Sequence, residues 1–142
     1  MVEQGWNIIT DEGFVGLIGP FWQKQTEGGL VFCFPTDARH HNLRGVLQGG
    51  ALMTFADRVL GITTRMLTKA PRTATMQLDV QFIDAVQIGE TVEARPRLLR
   101  ATRNTAFLSS TLTVSDPGGG ERVVGNANGM WKLLHPRDPQ PV

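Results

Sequence analysis

One stretch of this sequence needs other parts of the chain to surround it. Residues 50–67 carry apolar side chains at helical spacing, and the first three turns are apolar on nearly every side. A helix with that pattern is buried on most of its faces. The rest of the chain must therefore supply covering layers for one long central helix.

The residues after this helix predict four β-strands. Residues 75–82 alternate with a period of two, which places Met76 and Thr75 on opposite faces. Pro96 indicates an edge or a bulge in the second strand. Three later stretches are predicted as strands by the same pattern: residues 92–98, 106–114 and 123–134. Consecutive strands with hairpin-length connections pair antiparallel, so we expect an α+β domain whose sheet curls around the helix.

The remaining segments complete one predicted domain of 142 residues. Residues 6–23 predict a short N-terminal helical segment followed by a turn. Residues 30–34 are rich in strand formers and predict a first strand, and residues 36–46 predict a loop. The Pro-rich, polar tail from about residue 136 is expected to be loose.

Composition limits the classes of partner. The net charge is +1 and no basic block stands out, which argues against nucleic-acid binding. The apolar stretches are too short to span a membrane, and Glu3, Gln4 and Asn7 interrupt any signal peptide. The single cysteine, Cys33, indicates a reducing compartment. These features predict a cytoplasmic protein.

The start and middle of the central helix carry features that suggest chemistry. Gly49 and Gly50 open the helix, where backbone N–H groups are unpaired and the helix dipole attracts negative charge. Glycine also lets a ligand approach the backbone closely. Asp57 lies further along, within the apolar run, and a carboxylate in such surroundings calls for an explanation.

The segment from Asn42 through Gly45, Gln48 and the glycine pair to Asp57 resembles a known family. It is similar to the hotdog-fold acyl-CoA thioesterases, in the phenylacetate-pathway-type branch of the 4-hydroxybenzoyl-CoA thioesterase-like superfamily. That branch is marked by Asn, Gly, His-Gly-Gly and an Asp seven residues after the second glycine of the pair. The spacing matches without a gap, and Gln48 stands where many relatives carry His.

The resemblance implies a hotdog fold, in which one curved antiparallel β-sheet wraps around a long central α-helix. It also implies hydrolysis of an acyl- or aryl-CoA thioester without a cofactor or metal. In that family a carboxylate at the position of Asp57 acts as general base or nucleophile. The N–H at Gly49 polarises the carbonyl, Asn42 holds the carbonyl or the water, and Thr75 orients the water.

Four further residues are candidates for the site. Gln48 cannot titrate near neutral pH, so it is predicted to bind or orient rather than to act as an acid. Gly50 is predicted to contact substrate at the helix start. Coenzyme A carries phosphates, and the resemblance places a basic loop near the entrance, which selects Arg103 and Arg100 as contacts.

Helix geometry predicts how these residues come together. Gly50 and Asp57 are seven residues apart, which is about 10 Å of helical rise. A short Asp side chain does not reach a carbonyl held at the start of its own helix. We therefore expect a homodimer with composite sites, paired further into a dimer of dimers as the family often is. One chain supplies Asn42, Gln48 and Gly49, and the other supplies Asp57 and Thr75.

Two other functions fit parts of the pattern. A non-catalytic acyl-CoA binder or sensor keeps the pocket without turnover. A hotdog enoyl-CoA hydratase or dehydratase needs a His, which His40 or His41 would have to provide. The same two histidines suggest a metal pair, but no third ligand lies near them in sequence, so a surface loop is the better interpretation.

Overall fold

The central helix predicted at residues 50–67 is present as α2, Gly49–Thr68. The structure is a computed structural model, and it describes residues 1–136. The predicted loose tail lies outside these residues, apart from residue 136. The elements in chain order are β1 (Asn7–Ile9), α1 (Gly13–Ile18), β2 (Phe21–Thr26), β3 (Gly29–Pro35), α2 (Gly49–Thr68), β4 (Arg72–Phe82), β5 (Thr91–Ala94), β6 (Arg97–Ala101), β7 (Thr105–Ser115) and β8 (Glu121–Leu134).

The eight strands of residues 1–136 belong to one antiparallel sheet; seven follow the order β1-β2-β3-β5-β7-β8-β4, and β6 lies off this path beside β7. β5 and β6 both pair with β7, one after the other along the same edge of that strand. Arg95 and Pro96 separate them. Proline lacks the N–H that a sheet needs, which explains the break at Pro96 and confirms the irregularity predicted there.

α2 packs against β3, β4, β6, β7 and β8, so the sheet wraps around it. Its inward side chains Phe55, Val59 and Leu60 are fully buried. Phe21 packs edge-on and Phe34 packs at a tilt against Phe55, with ring centroids 5.1 and 5.6 Å away. Burial of this helix by one sheet confirms the predicted α+β hotdog fold.

The prediction for residues 6–23 is wrong in part. Only Gly13–Ile18 is helical, and β1 and β2 occupy the two ends of the segment. β2 is extended because it pairs along its length with β3, from Trp22 opposite Cys33 to Thr26 opposite Gly29. That pairing depends on neighbours in the sheet, and local spacing does not reveal it.

The expected pairing of consecutive strands fails at β4. β4 pairs with β8, and its successor β5 pairs with β3 and β7. The connection at residues 83–90 crosses between them because it is tied to the segment before α2. The Leu47 amide donates to the Val86 carbonyl at 2.9 Å, and Val46 bridges to Gln87.

Among residues 1–136, no helix combines the length and the apolar character needed to cross a membrane.

Candidate active site

The start of α2 leaves one glycine amide unengaged. Gln48 is the N-cap, and its Oε1 accepts from the Gly50 N–H at 2.9 Å. The first amides of a helix have no acceptor within the helix. Within residues 1–136 no hydrogen bond engages the Gly49 N–H. Gly49 therefore offers a donor at the positive end of the helix dipole, whereas the Gly50 donor is occupied by the cap.

Gly49 lies directly against the ring of Phe82, the last residue of β4. A Cβ atom at position 49 would lie 3.2 Å from Cε1 and 3.3 Å from Cζ of that ring. The close approach explains why glycine stands here. Both residues line a cleft of about 450 Å³, together with Asn42, Leu52 and Val86.

Asn42 shapes the loop that forms another wall of this cleft. Its side-chain Oδ1 accepts from the Arg44 amide at 2.8 Å and from the Val46 amide at 3.3 Å. The oxygen is thus used to fold its own turn. The side-chain NH₂ is the group of Asn42 that remains to donate to a ligand.

Asp57 and Thr75 meet, as the sequence predicts. The Thr75 hydroxyl donates to Oδ1 of Asp57 at 2.7 Å. Arg58, the neighbouring cation, instead binds Asp11 at 2.8 Å, so it does not neutralise Asp57. No ion pair within residues 1–136 includes Asp57. The second carboxylate oxygen, Oδ2, is therefore available for chemistry.

A β-bulge in β4 directs Thr75 toward the helix. The register shifts between Thr75 and Gln77, so Thr75 lies opposite the buried Trp131. Met76 is the extra residue and is 56% exposed. The regular alternation predicted for residues 75–82 is therefore wrong at this point, because a bulge changes which residues face inward.

Gly129 on β8, the strand paired with β4, leaves room for the bulge. A Cβ atom on Gly129 would collide with the Gln77 carbonyl oxygen and with the Trp131 ring. A residue with a side chain at position 129 would push β4 away. The absence of that side chain helps hold Thr75 at hydrogen-bonding distance from Asp57.

The predicted site residues thus form two groups in one chain. Asn42, Gln48 and Gly49 lie at the N-terminal end of α2, and Asp57 with Thr75 lies near its middle. The cleft lining includes Asn42 and Gly49 but neither Asp57 nor Thr75. The helical rise keeps the groups about 10 Å apart within a protomer.

Arg100 and Arg103 lie away from both groups, at β6 and the turn after it. Across the sheet, Ala101 beside that turn pairs with Ala106 on β7, Ala106 pairs with Trp131 on β8, and Trp131 pairs with Thr75 on β4. Three strand spacings separate β6 from β4, about 14 Å. Both arginines are exposed, and their predicted contact with the coenzyme stays a prediction.

Sequence reasoning missed two residues of the cleft. Arg44 lines it and is the cation nearest to Asn42 and Gly49. Its position inside the Asn42–Gly50 motif could have suggested it. Phe82 ends a strand of alternating apolar residues, and that alternation assigns it only an inward direction, not its contact with Gly49.

Arg122 fixes the wall of the cleft formed by residues 83–90. It binds Asp84 at 3.0 Å and Glu90 at 2.9 Å and donates to the Ala85 carbonyl at 3.2 Å. Partial burial raises the pKa of Glu90, but hydrogen bonds from Arg122 and the Gln87 amide outweigh it and leave that pKa below its ordinary value. The ionised carboxylate therefore helps hold the wall in place.

The two histidines have different roles. His40 is 2% exposed rather than part of a surface loop; its Nδ1 accepts from the Asp37 amide at 2.9 Å and its Nε2 lies 2.7 Å from the Ile18 carbonyl. Both ring nitrogens are thus engaged in holding the loop to α1, which leaves neither for acid–base chemistry. His41 is exposed and bonds the Asn42 carbonyl. Residues 1–136 contain no cluster of three potential metal ligands.

One curved sheet around a long helix, with a free glycine amide at the helix start and a carboxylate in its middle, defines a hotdog protein with a thioesterase-like arrangement of groups. Residues 44–121 match the family model described as thioesterase superfamily. The chain belongs to the thioesterase superfamily and is a thioester hydrolase. The family predicted from the Asn42–Asp57 motif is confirmed.

Solved structures from several organisms share this fold. A conserved protein from Pseudomonas aeruginosa has 21% identity and a TM-score of 0.73, over 87% of this chain and 95% of that one. A mutant of the phenylacetic acid degradation protein PaaI from Thermus thermophilus has 20% identity and a TM-score of 0.67, over 94% and 97%. An acyl-CoA hydrolase from Staphylococcus aureus, in complex with butyryl coenzyme A and coenzyme A, has 14% identity and a TM-score of 0.72, over 77% and 67%. No curated protein sequence matches the chain.

Proposed function

We propose that this protein hydrolyses the thioester bond of an acyl- or aryl-CoA, with Asp57 as the reactive carboxylate. The observation that carries the proposal is the 2.7 Å hydrogen bond from Thr75 to Asp57, a carboxylate without a cation partner on an apolar helix. Membership of the thioesterase superfamily supports the reaction class. The coenzyme bound by the Staphylococcus aureus hydrolase supports CoA as the thiol portion.

Gly49, Thr75 and Asp57 have different roles in the proposed hydrolysis. The Gly49 N–H donates to the thioester carbonyl oxygen and stabilises the negative charge that develops there. Thr75 occupies Oδ1 of Asp57, so Oδ2 is the atom that accepts a proton from water or attacks the carbonyl carbon. If Oδ2 acts as a base, the water oxygen bonds to the carbonyl carbon, the C–S bond breaks, and the thiolate takes up the proton that Asp57 removed from the water. If Oδ2 attacks, the C–S bond breaks to leave a mixed anhydride with Asp57, and water then hydrolyses the anhydride and supplies the proton of the thiol. In both cases the products are the acid and free coenzyme A.

The complete site is formed by two protomers in this proposal. Asp57 and Thr75 lie beside β4, which ends the sheet and pairs only with β8 within residues 1–136. An unpaired edge is a ready surface for a second copy. Two-fold symmetry then brings the Gly49 end of one helix to Asp57 of the other, and each dimer contains two identical sites.

Coenzyme A is held in this proposal by cations of two regions. Arg44 lines the cleft beside Asn42 and is placed to donate to an amide carbonyl of the pantetheine arm next to the reacting thioester, because the phosphates lie at the far end of that arm. Arg103 and Arg100 are exposed at the turn after β6 and are suited to the distal nucleotide. Asn42 donates its NH₂ to the carbonyl or the water.

Substitution of Asp57 tests the proposal. Asp57→Asn retains size and hydrogen bonding but removes the base, so we expect kcat to fall about 10²–10⁴-fold. Glu27→Gln is the control, because Glu27 is an exposed carboxylate on the β2–β3 turn, outside α2 and the β4 edge. The assay measures release of free thiol from a panel of acyl-CoA substrates. Wild-type turnover that survives in Asp57→Asn would remove the assigned role.

The protein's own cysteine does not interfere with the thiol assay. Burial and the nearby Glu93 raise the pKa of Cys33 to about 12, and the side chain is 1% exposed. The Cys33 thiol therefore does not react with the reagent that detects free coenzyme A. Tight binding of acyl-CoA by a wild-type protein that releases no thiol would favour the sensor alternative.

A further inference from the structure

A second pocket lies at the opposite end of α2 from the cleft. It encloses about 380 Å³ between the C-terminal half of the helix and the strands β1 and β2. This size is in the range of small-molecule sites. We call it the C-terminal pocket, and it is lined by Ile9, Gln23, Ile62, Arg65, Met66 and Lys69, with Arg58 and Ala70 at its margin.

The charges of this pocket are of one sign. Arg58 is neutralised by Asp11 at 2.8 Å. Arg65 and Lys69 are exposed, and no ion pair within residues 1–136 includes either one. No carboxylate lines the pocket. Two cations without acidic partners at a concave site favour an anionic ligand.

Gln23 adds a polar group that lacks a partner. Its Oε1 is buried and has no donor within the described residues. A buried amide without a hydrogen bond is costly, and in native proteins it calls for an explanation. Nε2 of the same amide makes no hydrogen bond within residues 1–136 and is not enclosed as Oε1 is, so it can donate an N–H to an anion in the pocket that Gln23 lines.

The apolar part of the lining suggests the body of the ligand. Ile9 and Ala70 are buried, Ile62 is half-buried, and Met66 leaves 51% of its surface exposed. A bound apolar group would cover Met66 and gain about 25 cal/mol per Å² of buried apolar surface. Arg65 and Lys69 lie at the C-terminal end of α2, where the Lys69 amide caps the Arg65 carbonyl. The partial negative charge of a helix C-terminus offsets part of their positive charge, so the pocket suits a monoanion better than a dianion.

We propose that the C-terminal pocket binds a small amphipathic carboxylic acid. The carboxylate accepts from Arg65, Lys69 and the Gln23 amide, and a short alkyl or aryl body covers Ile62 and Met66. This site is separate from the Gly49 cleft and does not depend on the reaction proposed above.

Calorimetric titration of the full chain with octanoate tests the site. We expect saturable binding with one octanoate per chain, and binding of 1-octanol and octyl phosphate weaker by about tenfold or more. The double variant Arg65→Gln/Lys69→Gln and the variant Gln23→Leu should each raise the Kd about tenfold. Arg97→Gln is the control, because Arg97 is an exposed cation on β6. Octanoate should raise the Tm of wild type and control but not of the double variant.

Five outcomes would overturn the proposal. Octanoate that does not bind wild type leaves the pocket without the assigned ligand. Equal binding of octanoate by the double variant would show that the acid binds elsewhere. Competition between octanoate and a thioester substrate that persists in the double variant would show the same. Preference for octyl phosphate assigns a phosphate ester instead. A change of oligomeric mass in the double variant makes the pocket a contact between copies of this chain.

Discussion

The two halves of the proposed active site are built by different means. At the start of α2 the functional group is a backbone amide, held by the Gln48 cap, covered by Phe82 and walled by a loop that Arg122 fixes. At the middle of α2 it is a side chain, Asp57, held by one hydroxyl beside an open sheet edge. In the proposal above, the first half is preorganised within one chain, whereas the second is completed by a neighbouring chain.

Complementation gives the largest effect that separates the halves. Asp57→Asn and Gly49→Pro should each be nearly inactive alone. Co-expressed, half of the dimers are mixed, and each mixed dimer holds one intact site, so activity should return to about a quarter of wild type. Thiol release is measured on that pool and on mixed dimers purified through two different tags, which hold one intact site of two and should show about half of the wild-type activity. Activity that stays at background in proven mixed dimers would show that both halves act within one chain.

A pair of variants at Gly49 isolates the amide. Proline is tolerated at the first helical position, where it removes the N–H and adds its ring atoms, and Gln48 before it is already extended. We expect Gly49→Pro to lower kcat about 10²–10³-fold, the usual loss for one oxyanion donor. Gly49→Ala meets the same Phe82 ring but keeps the N–H. If Ala and Pro reduce kcat equally, crowding by Phe82 explains the loss and the amide has no role.

Variants of Thr75 test the other half with a smaller effect. Thr75→Val keeps the shape but removes the donor to Asp57, and a hydrogen bond to a charged group contributes about 1.5 kcal/mol, roughly tenfold in kcat. Thr75→Ser should retain most of the rate because it keeps the hydroxyl. Equal kinetics of Val and Ser would mean that the hydrogen bond does not position the carboxylate.

The smallest expected effect concerns the wall of the cleft. The pKa of Glu90 is lowered in the folded chain, so its contribution to stability is present above the ordinary value of 4.5 and is lost as pH falls through the lowered value. Glu90→Gln should therefore lower the Tm by roughly 3 °C at pH 7, with the difference shrinking as the pH falls below 4.5. Glu27→Gln, an exposed control on the β2–β3 turn, should show neither effect. Thermal melts between pH 3 and 7 measure both.

Periodicity in the sequence predicts an element well when the element's own apolar pattern decides which of its faces are buried. The bounds of α2 differ by one residue at each end from the predicted 50–67, since its apolar pattern and its core coincide. β2 was missed because its partner β3 makes it a strand. The position of β4 beside β8 depends on how residues 83–90 cross the helix end, which is a long-range property.

The site shows the same limit. Asn42, Gly49 and Asp57 belong to one short motif, so their order reveals them. Thr75 entered only through the family resemblance, since the alternation alone places it on the wrong face. Phe82 was missed because its contact with Gly49 joins two elements that are far apart in sequence.

The bulge at Met76 has a consequence for how this strand can change during evolution. On either side of it the inward residues follow a two-residue repeat, but the two repeats are out of phase. Loss of one residue normally turns half a strand inside out. Here, deletion of position 76 would merge both repeats and leave Thr75 and Leu78 facing the helix. Alignments of this strand with shorter homologues should therefore open a one-residue gap at position 76.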